Sequence, residues 1–557
     1  MKKNLLLMFV AGLMIFFAAC NSDDDTPQMA PTISVTPTTE TATPGATVNF
    51  TVTTASASST VASVTANDGT TTEDVTGGTY AYTVAATAAA NSSITITFTV
   101  TDAAGMTNTA QATITVQQGT IDITDADLVA GGTYNWTNNN VYMLDGLVYL
   151  EAGGTLNIQE GTVIRFKAQP SNTDPTSSLI ITNGAQIFAE GTATEPIIFT
   201  AELDDLAGGV LQPSDNRQWA GLILLGSAPA EKSGATSGIQ IEGIESTETR
   251  GSYGGTNPND NSGTLRYVSI RYTGFALNGQ SGDEIQGLTL GGVGAGTTLD
   301  YIDIFSSADD GIEIFGGTVN VTHISVAFST DDDFDFDLGW RGYGQFLFGL
   351  MLDGTNPEAY DHSGEWDGAS PDDATLFSAP NLYNATFIGP GQNATGRQRA
   401  LLLRESFAGK LGNSVLEDFP GAGIEVQDVD GNTTTDSYAV ITQPREGFQL
   451  EVLNNTWAQF GGFDGTVASM VSGSGQTADV VAELTDNANT VLTTAYVGGI
   501  SRATDGGLDP RPAADDANVA NVPAGLQQAN YRGAFQAGQP TWLAGWSTLS
   551  KLGYLVD

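Results

Sequence analysis

One short segment of the chain recurs at a fixed interval, and this repeat limits the possible folds more than any other feature. Residues 299–304 (LDYIDI) return as residues 321–326 (VTHISV), 22 positions later. The next segment, 307–314, returns at 329–336 with the same offset, and an earlier copy of the first element lies at 265–270. Self-similarity at a fixed period of roughly 20 to 50 residues is the signature of a solenoid.

The repeating unit is built from short strands. Apolar pairs and triplets such as 179–181 (LII) and 197–199 (IIF) recur between glycines, and few helical patterns interrupt them. From residue 119 to residue 557 we therefore predict a right-handed parallel β-helix, in which each coil of about 22 residues stacks on the previous coil at about 4.8 Å. The side chains predicted to point into its core are Ile312, Ile314, Phe334 and Phe336.

The segment from residue 31 to residue 118 has a different pattern. Apolar and polar residues alternate, as in 48–52 (VNFTV) and 94–100 (ITITFTV), and turn signals such as 44–45 (PG) separate the runs. Alternation with a period of two indicates half-buried strands. We predict an immunoglobulin-like β-sandwich, although the cysteine and tryptophan hallmarks of antibody domains are absent. The segment resembles the immunoglobulin-like modules of bacterial surface proteins, which implies a spacer role; direct ligand binding is the alternative.

The amino terminus has the pattern of an export signal. Two lysines, an apolar run and small residues precede Cys20, the only cysteine, so residues 1–19 are predicted to be a signal peptide. Residues 17–20 (FAAC) resemble a lipoprotein signal peptidase box, which implies an acylated cysteine that anchors the chain to a membrane. Residues 22–25 (SDDD), within a flexible tether predicted at 20–30, are similar to the acidic tag that sends lipoproteins of the Bacteroidetes to the outer face of the outer membrane. A chance cysteine and an ordinary polar tether are the alternatives.

The charge balance excludes one class of partner. The chain has 19 Lys and Arg against 63 Asp and Glu, a formal net charge of −44. Phosphate backbones would repel such a surface, so we expect no binding of nucleic acid. A high negative charge favours solubility, is compatible with a salty environment, and favours the binding of divalent cations.

Stacking of coils brings like charges together in the repeat. Glu313 and Asp335 occupy equivalent outward positions, where two carboxylates about 4.8 Å apart repel each other by roughly 3 to 4 kcal/mol at an effective dielectric constant of about 20. We therefore expect a bound cation, and hard oxygen ligands suit Ca²⁺. The candidate metal ligands are Asp309, Asp310, Glu313, Asp332, Asp333, Asp335 and Asp337. A solvated acidic face whose side chains splay apart is the equally weighted alternative.

After the repeat the sequence departs from the 22-residue period. An insertion is predicted at 353–378, with seven acidic residues between positions 353 and 373 and several aromatic residues nearby. Aromatic rings that stack on sugars, beside carboxylates that accept hydroxyl protons, are typical of a polysaccharide-binding surface. The candidate ligand-binding residues are Trp340, Arg341, Tyr360, His362, Glu365, Trp366 and Asp367. A loop that folds its own aromatic side chains inward is the alternative.

The carboxyl terminus predicts a short helix that covers an open end of the solenoid. Thr541 is the predicted N-cap of this helix. The apolar residues that follow it at helical spacing are Trp542, Trp546, Leu549 and Leu552. We expect these tryptophans to belong to the core, because their spacing is that of the buried face of an amphipathic helix.

The acidic repeat and the arginines that follow it can be compared with two enzyme families. Residues 307–314 (SADDGIEI) resemble the strand motif of pectin-degrading β-helix hydrolases, in which paired aspartates act as general acid and base, but the Gly-His-Gly and Arg-x-Lys elements of those hydrolases are absent. If the chain is an enzyme, the residues that this resemblance makes catalytic are Asp309, Asp310, Asp332 and Asp335. Pectate lyases use Ca²⁺ with an arginine base. Candidates for that base are Arg397, Arg399 and Arg404.

Residues 119–557 resemble more closely the uncharacterised β-helix lipoproteins of Bacteroidetes and related marine bacteria. The segments that carry this resemblance are 309–319 (DDGIEIFGGTV), 333–335 (DFD), 339–342 (GWRG), and 531–535 (YRGAF) with Trp542 and Trp546. The family implies a fold and a location, often near TonB-dependent receptors, but no activity.

Three functional hypotheses follow from these patterns. The first is a surface-exposed outer-membrane lipoprotein that binds an extracellular polysaccharide on a β-helix stabilised by Ca²⁺. The second is a polysaccharide lyase or glycoside hydrolase. The third is an accessory subunit of a TonB-dependent outer-membrane transporter.

Overall fold

The computed structural model describes residues 28–172, 174–276, 284–354, 361–395, 399–429, 435–473 and 477–556. The chain divides into two compact units, Met1–Gln117 and Gln118–Asp557. The predicted signal peptide, Cys20 and most of the tether lie outside the described residues, as do Tyr360 and Arg397. Within the described ranges no helix has the length and apolar character needed to cross a membrane.

The first unit is a two-layer β structure. One sheet contains the strands Thr32–Thr36, Thr47–Ala55 and Thr79–Thr83, and the other contains Thr39–Ala42, Val61–Asn67, Thr72–Asp74, Ser93–Asp102 and Thr107–Val116. Strand pairs are antiparallel except for Thr39–Ala42 with Thr107–Val116. Inward-facing residues of both sheets form one core, in which the rings of Phe50 and Phe98 lie 5.7 Å apart. A β-sandwich is therefore present, and its relationship to immunoglobulin-like modules stays a prediction.

The second unit is a right-handed parallel β-helix, as predicted. Two long parallel sheets run along it. The first contains Gly119–Ile123, Thr133–Trp136, Asn140–Leu144, Thr155–Ile158, Val163–Phe166, Gln186–Glu190, Ile197–Ala201, Gly263–Thr273, Thr298–Ser307, Asn320–Ala327, Tyr343–Leu350, Asn381–Tyr383, Thr386–Ile388, Lys410–Gly412, Val415–Glu417, Glu451–Leu453, Thr456–Ala458 and Thr490–Leu492. The second, called the ten-stranded sheet below, contains Leu147–Leu150, Ser178–Ile181, Leu222–Leu225, Leu288–Gly291, Ile312–Phe315, Phe334–Asp337, Gly364–Asp367, Arg399–Arg404, Ala422–Val426 and Val471–Ser472.

The second unit also contains short strands and helices outside the two long sheets. Three two-stranded pairs, three α-helices and three 3₁₀ helices complete the secondary structure of the described ranges. The two-stranded pairs are Ile239–Gln240 with Ser252–Tyr253, Phe275–Ala276 with Glu284–Ile285, and Val497–Ile500 with Leu508–Pro512. The α-helices are Ser437–Thr442, Thr477–Asp486 and Thr548–Lys551, and the 3₁₀ helices are Asp125–Asp127, Thr249–Gly251 and Val467–Met470. Val480 and Leu484 of the second α-helix are buried in the core of the β-helix.

The strand register confirms the repeat found in the sequence. Leu299 pairs with Val321, and Ile302 pairs with Ile324, so the 22-residue offset is the length of one coil. All four side chains predicted to point inward are at most 1% exposed: Ile312, Ile314, Phe334 and Phe336. Burial of each such side chain contributes about 1.5 to 3 kcal/mol to the free energy of unfolding. Each coil therefore stabilises the solenoid through the side chains that it adds to the core.

A left-handed residue within each of four consecutive strands of the first sheet places one aromatic side chain per coil outside the main core cluster. Tyr267, Tyr301, His323 and Phe346 all have a left-handed backbone, with φ between +48° and +57°. Their rings stack in sequence, with centroids 4.4, 4.2 and 4.9 Å apart. Trp542 of the carboxyl-terminal segment packs edge-on against His323, so this segment covers part of the stack.

The carboxyl-terminal helix differs from its prediction in position. It spans Thr548–Lys551 and is capped by Ser547, whose hydroxyl accepts a hydrogen bond from the backbone of Ser550. Thr541 was the wrong N-cap, since its hydroxyl makes no hydrogen bond within the described structure. The backbone N–H of Thr548 donates instead to the buried Asp303, so the helix lies against the side of the coils. Trp546 is 1% exposed and belongs to the core, as expected.

Candidate functional site

A solvent-facing groove of about 510 Å³ crosses the outer face of the ten-stranded sheet. We call it the acidic groove, because ten of its lining residues are carboxylic acids and two are arginines. The lining residues are Arg217, Glu242, Glu284, Gln286, Ala308, Asp309, Asp310, Glu313, Thr330, Asp331, Asp335, Asp337, Glu365, Asp367 and Arg404. This excess of negative charge in one concavity is the strongest chemical feature of the second unit.

Strand alternation explains how the acidic side chains reach this surface. Glu313, Asp335 and Glu365 are paired position by position in adjacent parallel strands, so they form a row that crosses the coils. Successive side chains of a strand point to opposite faces, and the neighbours of this row fill the core. The predicted stacking of Glu313 on Asp335 is therefore confirmed, and Glu365 extends the row by one coil.

A second row lies just before the strands begin. The backbone N–H of Asp332 donates to Asp310 Oδ1 at 2.9 Å, and the backbone N–H of His362 donates to Asp332 Oδ1 at 2.5 Å. Arg399 occupies the equivalent position in the next coil, because Gly364 pairs with Leu401. The order in this row is thus aspartate, aspartate, histidine, arginine.

The imidazole of His362 is held from both sides. Its Nδ1 lies 3.1 Å from Asp332 Oδ1 and 3.2 Å from Asp361 Oδ1, while its Nε2 accepts a hydrogen bond from Arg399 Nε at 3.1 Å. Because the guanidinium of Arg399 can only donate, the lone pair must be on Nε2 and the proton on Nδ1. Asp332, Asp361 and His362 cluster closely enough to hold a metal ion, but this protonation pattern makes His362 a hydrogen-bond donor to carboxylates.

Three carboxylates lie together in the centre of the groove. Asp310, Glu313 and Asp335 each offer an oxygen within 4.8 Å of the others. Burial, reinforced by the neighbouring negative charges, raises the pKa of all three above its usual range. Burial and the charge of Asp331 likewise raise the pKa of Asp309 to about 8. The site therefore favours either protonated acids or a cation.

The arginine at one end of the groove is already paired. Arg404 makes a two-pronged ion pair with Asp367, at 2.7 and 2.8 Å, and also contacts Glu365. This pairing offsets the charge of that end. The centre of the groove receives no such pairing, because Asp310, Glu313 and Asp335 form no ion pair with a described Lys, Arg or His.

Several predicted site residues lie elsewhere. Trp340 and Trp366 are at most 1% exposed, and their rings pack on Phe336, so their predicted contact with a ligand is wrong. Asp333 is also buried, because its carboxylate accepts hydrogen bonds from Ser329 and Ser363, and its predicted role as a metal ligand in the groove is wrong.

Arg341 and the insertion also differ from prediction. The guanidinium of Arg341 lies 4.6 Å from the rings of Phe377 and Phe448 and away from the groove, so a shared site with Glu365 is wrong. The predicted insertion at 353–378 contains a regular strand, Gly364–Asp367, because the chain re-enters the ten-stranded sheet there. This strand brings Glu365 and Asp367 into the groove.

Sequence reasoning missed the upstream wall of the groove. Arg217, Glu242 and Glu284 line it, although they precede the acidic repeat by a coil or more. No local motif marks them, since only the stacking of coils brings them to the same face. His362 was predicted only as a ligand-binding residue. Its place in the row after Asp332 was not predicted, because this coil has 30 residues and not the 22 of the repeat.

Comparison with known proteins places the fold in a family. Residues 127–489, about two-thirds of the chain, match the model of a pectate-lyase-like β-helix domain. Searches of curated proteins and of solved structures gave no significant match. The family likeness points to polysaccharide-related binding or a lyase-like activity. The chain therefore belongs to the pectate-lyase-like β-helix family.

Proposed function

We propose that this protein is a surface-exposed outer-membrane lipoprotein whose acidic groove binds an extracellular polysaccharide. The observation that carries the proposal is the groove itself: a concave surface lined by polar side chains from consecutive coils, in a fold of the pectate-lyase-like family. Carboxylate oxygens are strong acceptors for the hydroxyl groups of sugars, and arginines donate to sugar oxygens or acidic groups.

The shape of the groove fits an extended chain. Its lining residues run from Gln286 through Glu313, Asp335 and Glu365 to Arg404, one coil at a time. Four coil steps at about 4.8 Å give a length of about 19 Å, enough for several linked sugars. A ligand lying along the solenoid axis would contact each of these coils in turn.

The sequence of the amino terminus supports the cellular location. The FAAC motif with Cys20, followed by the acidic run 22–25, is the basis for the proposed lipid anchor and outward orientation. The proposed spacer is the β-sandwich of the first unit. Displayed in this way, the groove would meet polymers outside the cell.

Binding is tested on the soluble chain lacking residues 1–20. The protein is titrated with a panel of neutral and acidic polysaccharides by isothermal titration calorimetry, in parallel with the double variant Asp309→Asn/Glu365→Gln. Glu190→Gln, on an exposed residue of the other long sheet, is the matched control. We expect the double variant to bind at least tenfold more weakly and the control to bind as the native chain does. Equal affinity of all three proteins for a bound polysaccharide would refute the groove as the site.

A second function, cleavage of the polysaccharide, is favoured by one specific observation. Asp309, Asp310 and Asp331 offer oxygens within 4.8 Å of one another, and burial raises the pKa of Asp310, which favours its protonated form. Glycoside hydrolysis requires a protonated carboxylic acid and a second carboxylate, which lie about 5 to 5.5 Å apart in retaining enzymes and farther apart in inverting enzymes. The separation in the groove, within 4.8 Å, is closest to the retaining arrangement. The hydrogen-bonded side chains of His362 and Arg399 would then position the acids around Asp332.

Cleavage is tested by the appearance of new reducing ends or of unsaturated products from the same panel. If the protein is a hydrolase or lyase, Asp310→Asn should abolish the products while leaving binding detectable. The Glu190→Gln control should keep full activity. Products that persist in Asp310→Asn would contradict this assignment.

A further inference from the structure

A second, smaller pocket lies where the carboxyl-terminal segment packs against the stacked rings of the first long sheet. We call it the aromatic pocket, because four aromatic side chains line it: Phe346, Tyr531, Phe535 and Trp542. Its volume is about 200 Å³, and its described lining also includes His323 and three glutamines but no Asp, Glu, Lys or Arg. In a chain with 63 acidic residues, a concave surface without a carboxylate needs an explanation of its own.

The aromatic wall combines the coils with the carboxyl-terminal segment. Phe346 is the last ring of the stack on the coils, and Tyr531 extends this stack with a centroid distance of 6.5 Å. Trp542 stacks on Phe535 at 5.5 Å, and its Nε1 already donates to the carbonyl of Ala534. Because this donor is satisfied, Trp542 presents apolar ring surface to the pocket. Tyr531 and Trp542 are half-buried, so the wall is accessible from solvent.

Polar groups from two parts of the chain complete the pocket. Rings of the adjacent coils cover both faces of the His323 imidazole, so the pocket reaches only its edge. Nδ1 of His323 lies 2.8 Å from Asp300 Oδ1 and donates to it, which leaves Nε2 as an acceptor in the neutral imidazole. Gln527 and Gln539 are exposed, and each amide has two N–H donors and a carbonyl acceptor. The pocket therefore offers donors and acceptors without a carboxylate or an arginine.

We propose that the aromatic pocket binds one uncharged sugar ring in the pyranose form. A pyranose has apolar C–H faces and a rim of hydroxyl groups, so it requires ring surfaces and neutral hydrogen-bonding groups at the same site. Pockets for drug-sized ligands usually measure about 300 to 1,000 Å³. At about 200 Å³, this pocket suits a single ring. An acidic sugar is disfavoured, because no arginine or lysine of the described lining could pair with its carboxylate.

The aromatic pocket is separate from the acidic groove. The two share no lining residue, and the groove lies on the ten-stranded sheet, whereas His323 and Phe346 belong to strands of the first long sheet. Neither a cation nor an ion pair takes part in the proposed contacts, so binding should be insensitive to EDTA and nearly insensitive to salt. This inference does not rest on the function proposed for the groove.

The test uses the soluble chain lacking residues 1–20, which keeps every residue that the structure describes. The probes are the methyl glycosides of glucose, galactose, mannose and N-acetylglucosamine, with galacturonate as the acidic comparison. Binding is measured by titration in saturation-transfer-difference NMR, in buffer containing EDTA. We expect at least one neutral glycoside to bind with a Kd on the order of 1 mM, as is usual for a ligand with so few atoms. Tighter binding of galacturonate than of every neutral glycoside would contradict the proposed chemistry.

The double variant Gln527→Ala/Gln539→Ala removes two amides and leaves the aromatic wall in place. Both side chains are exposed, so the Tm should remain that of the native chain. Affinity for the glycoside should fall about tenfold, because two hydrogen bonds to the sugar are lost. Gln528→Ala is the matched control, since Gln528 is an exposed glutamine of the same segment that does not line the pocket. It should bind as the native chain does.

A further comparison assigns the binding to the pocket. The double variant of the groove, Asp309→Asn/Glu365→Gln, should bind the neutral glycoside with native affinity. The proposal is overturned if no neutral glycoside binds the native chain, if Gln527→Ala/Gln539→Ala binds as tightly as the native chain, or if the groove variant loses the binding. An equal loss in Gln528→Ala would also overturn it, because the amides of the pocket would not be the cause. Polysaccharide titrations of the groove variant report separately on the groove.

Discussion

The buried Asp333 allows a stability prediction with a defined pH dependence. Its carboxylate has no exposed surface and accepts hydrogen bonds from Ser329 Oγ at 2.8 Å and Ser363 Oγ at 2.9 Å. Burial raises its pKa from 3.8 to about 7, and the two serine hydroxyls offset only part of this effect. The folded chain therefore holds a proton on Asp333 more tightly than the unfolded chain does.

The sign and size of the effect follow from linkage between protonation and folding. Because the folded pKa is the higher one, the stability contributed by the protonated carboxyl is complete below pH ~4 and is lost as the pH rises to ~7. At about 1.4 kcal/mol for each tenfold change in proton affinity, the loss is about 4 kcal/mol. Asn at position 333 stays neutral at every pH and does not suffer this loss.

We expect the free energy of unfolding of Asp333→Asn, relative to that of the native chain, to increase by about 4 kcal/mol between pH 4 and pH 8. Guanidinium-induced unfolding of both proteins in EDTA, at one-unit pH intervals, measures this difference. The groove acids titrate in both proteins and cancel in the comparison. The exposed control Glu190→Gln should differ from the native chain by less than about 0.5 kcal/mol at any pH. A difference for Asp333→Asn that is the same at pH 4 and pH 8 would refute the reasoning.

Three further predictions test other parts of the structure. Asp303→Ala removes the acceptor of three hydrogen bonds, from the Thr548 N–H, the Thr548 hydroxyl and the Ser269 hydroxyl. The free energy of unfolding should therefore fall by about 3 to 5 kcal/mol. Hydrogen exchange should increase first at residues 541–556. Slow exchange there in the variant would contradict the role of Asp303 as their anchor. Trp366→Ala should cost about 3 to 5 kcal/mol in denaturant unfolding, because it leaves a cavity in the core; a cost under about 1 kcal/mol would mean that the ring is not a core residue. Cys20→Ser should abolish palmitate labelling and release the protein from the outer-membrane fraction, and continued labelling would disprove the anchor.

The fold was predictable because parallel strands preserve the offset of the repeat. Leu299 pairs with Val321, and Glu313 with Asp335, so a match 22 positions apart in the sequence became a contact in space. Alternation within strands also identifies which side chains are buried. In the strand Gly364–Asp367, this alternation places Trp366 in the core beside Phe336, as the structure shows.

The site was less predictable because coil lengths vary. His362 follows Asp332 by 30 positions, and Arg399 follows His362 by 37, so a fixed offset of 22 aligns neither of them. The additional residues separate the matching positions in the sequence, and no local signal shows where the next match lies. The Gly-His-Gly element was absent from the sequence, yet a histidine stands one coil after the aspartates.

The position before each strand changes its chemistry steadily along the solenoid axis. It is an amide at Gln286, a carboxylate at Asp310 and Asp332, an imidazole at His362 and a guanidinium at Arg399. In this row of positions, the positive charge belongs to Arg399, which pairs with Glu425 and donates a hydrogen bond to His362.

This gradient separates the groove into two chemical halves. At the end near Arg404, a ligand must compete with existing ion pairs of Asp367 and Glu365. In the centre, Glu313 and Asp335 repel each other. A cation could bind there without breaking an ion pair, because Asp310, Glu313 and Asp335 form none with a described Lys, Arg or His. If one extended ligand spans both halves, as proposed, a divalent cation in the centre would cancel two negative charges there and offer a positive ion to the acidic groups of the polymer. The affinity of the groove for acidic polysaccharides should therefore depend on Ca²⁺, whereas that for neutral polysaccharides should not.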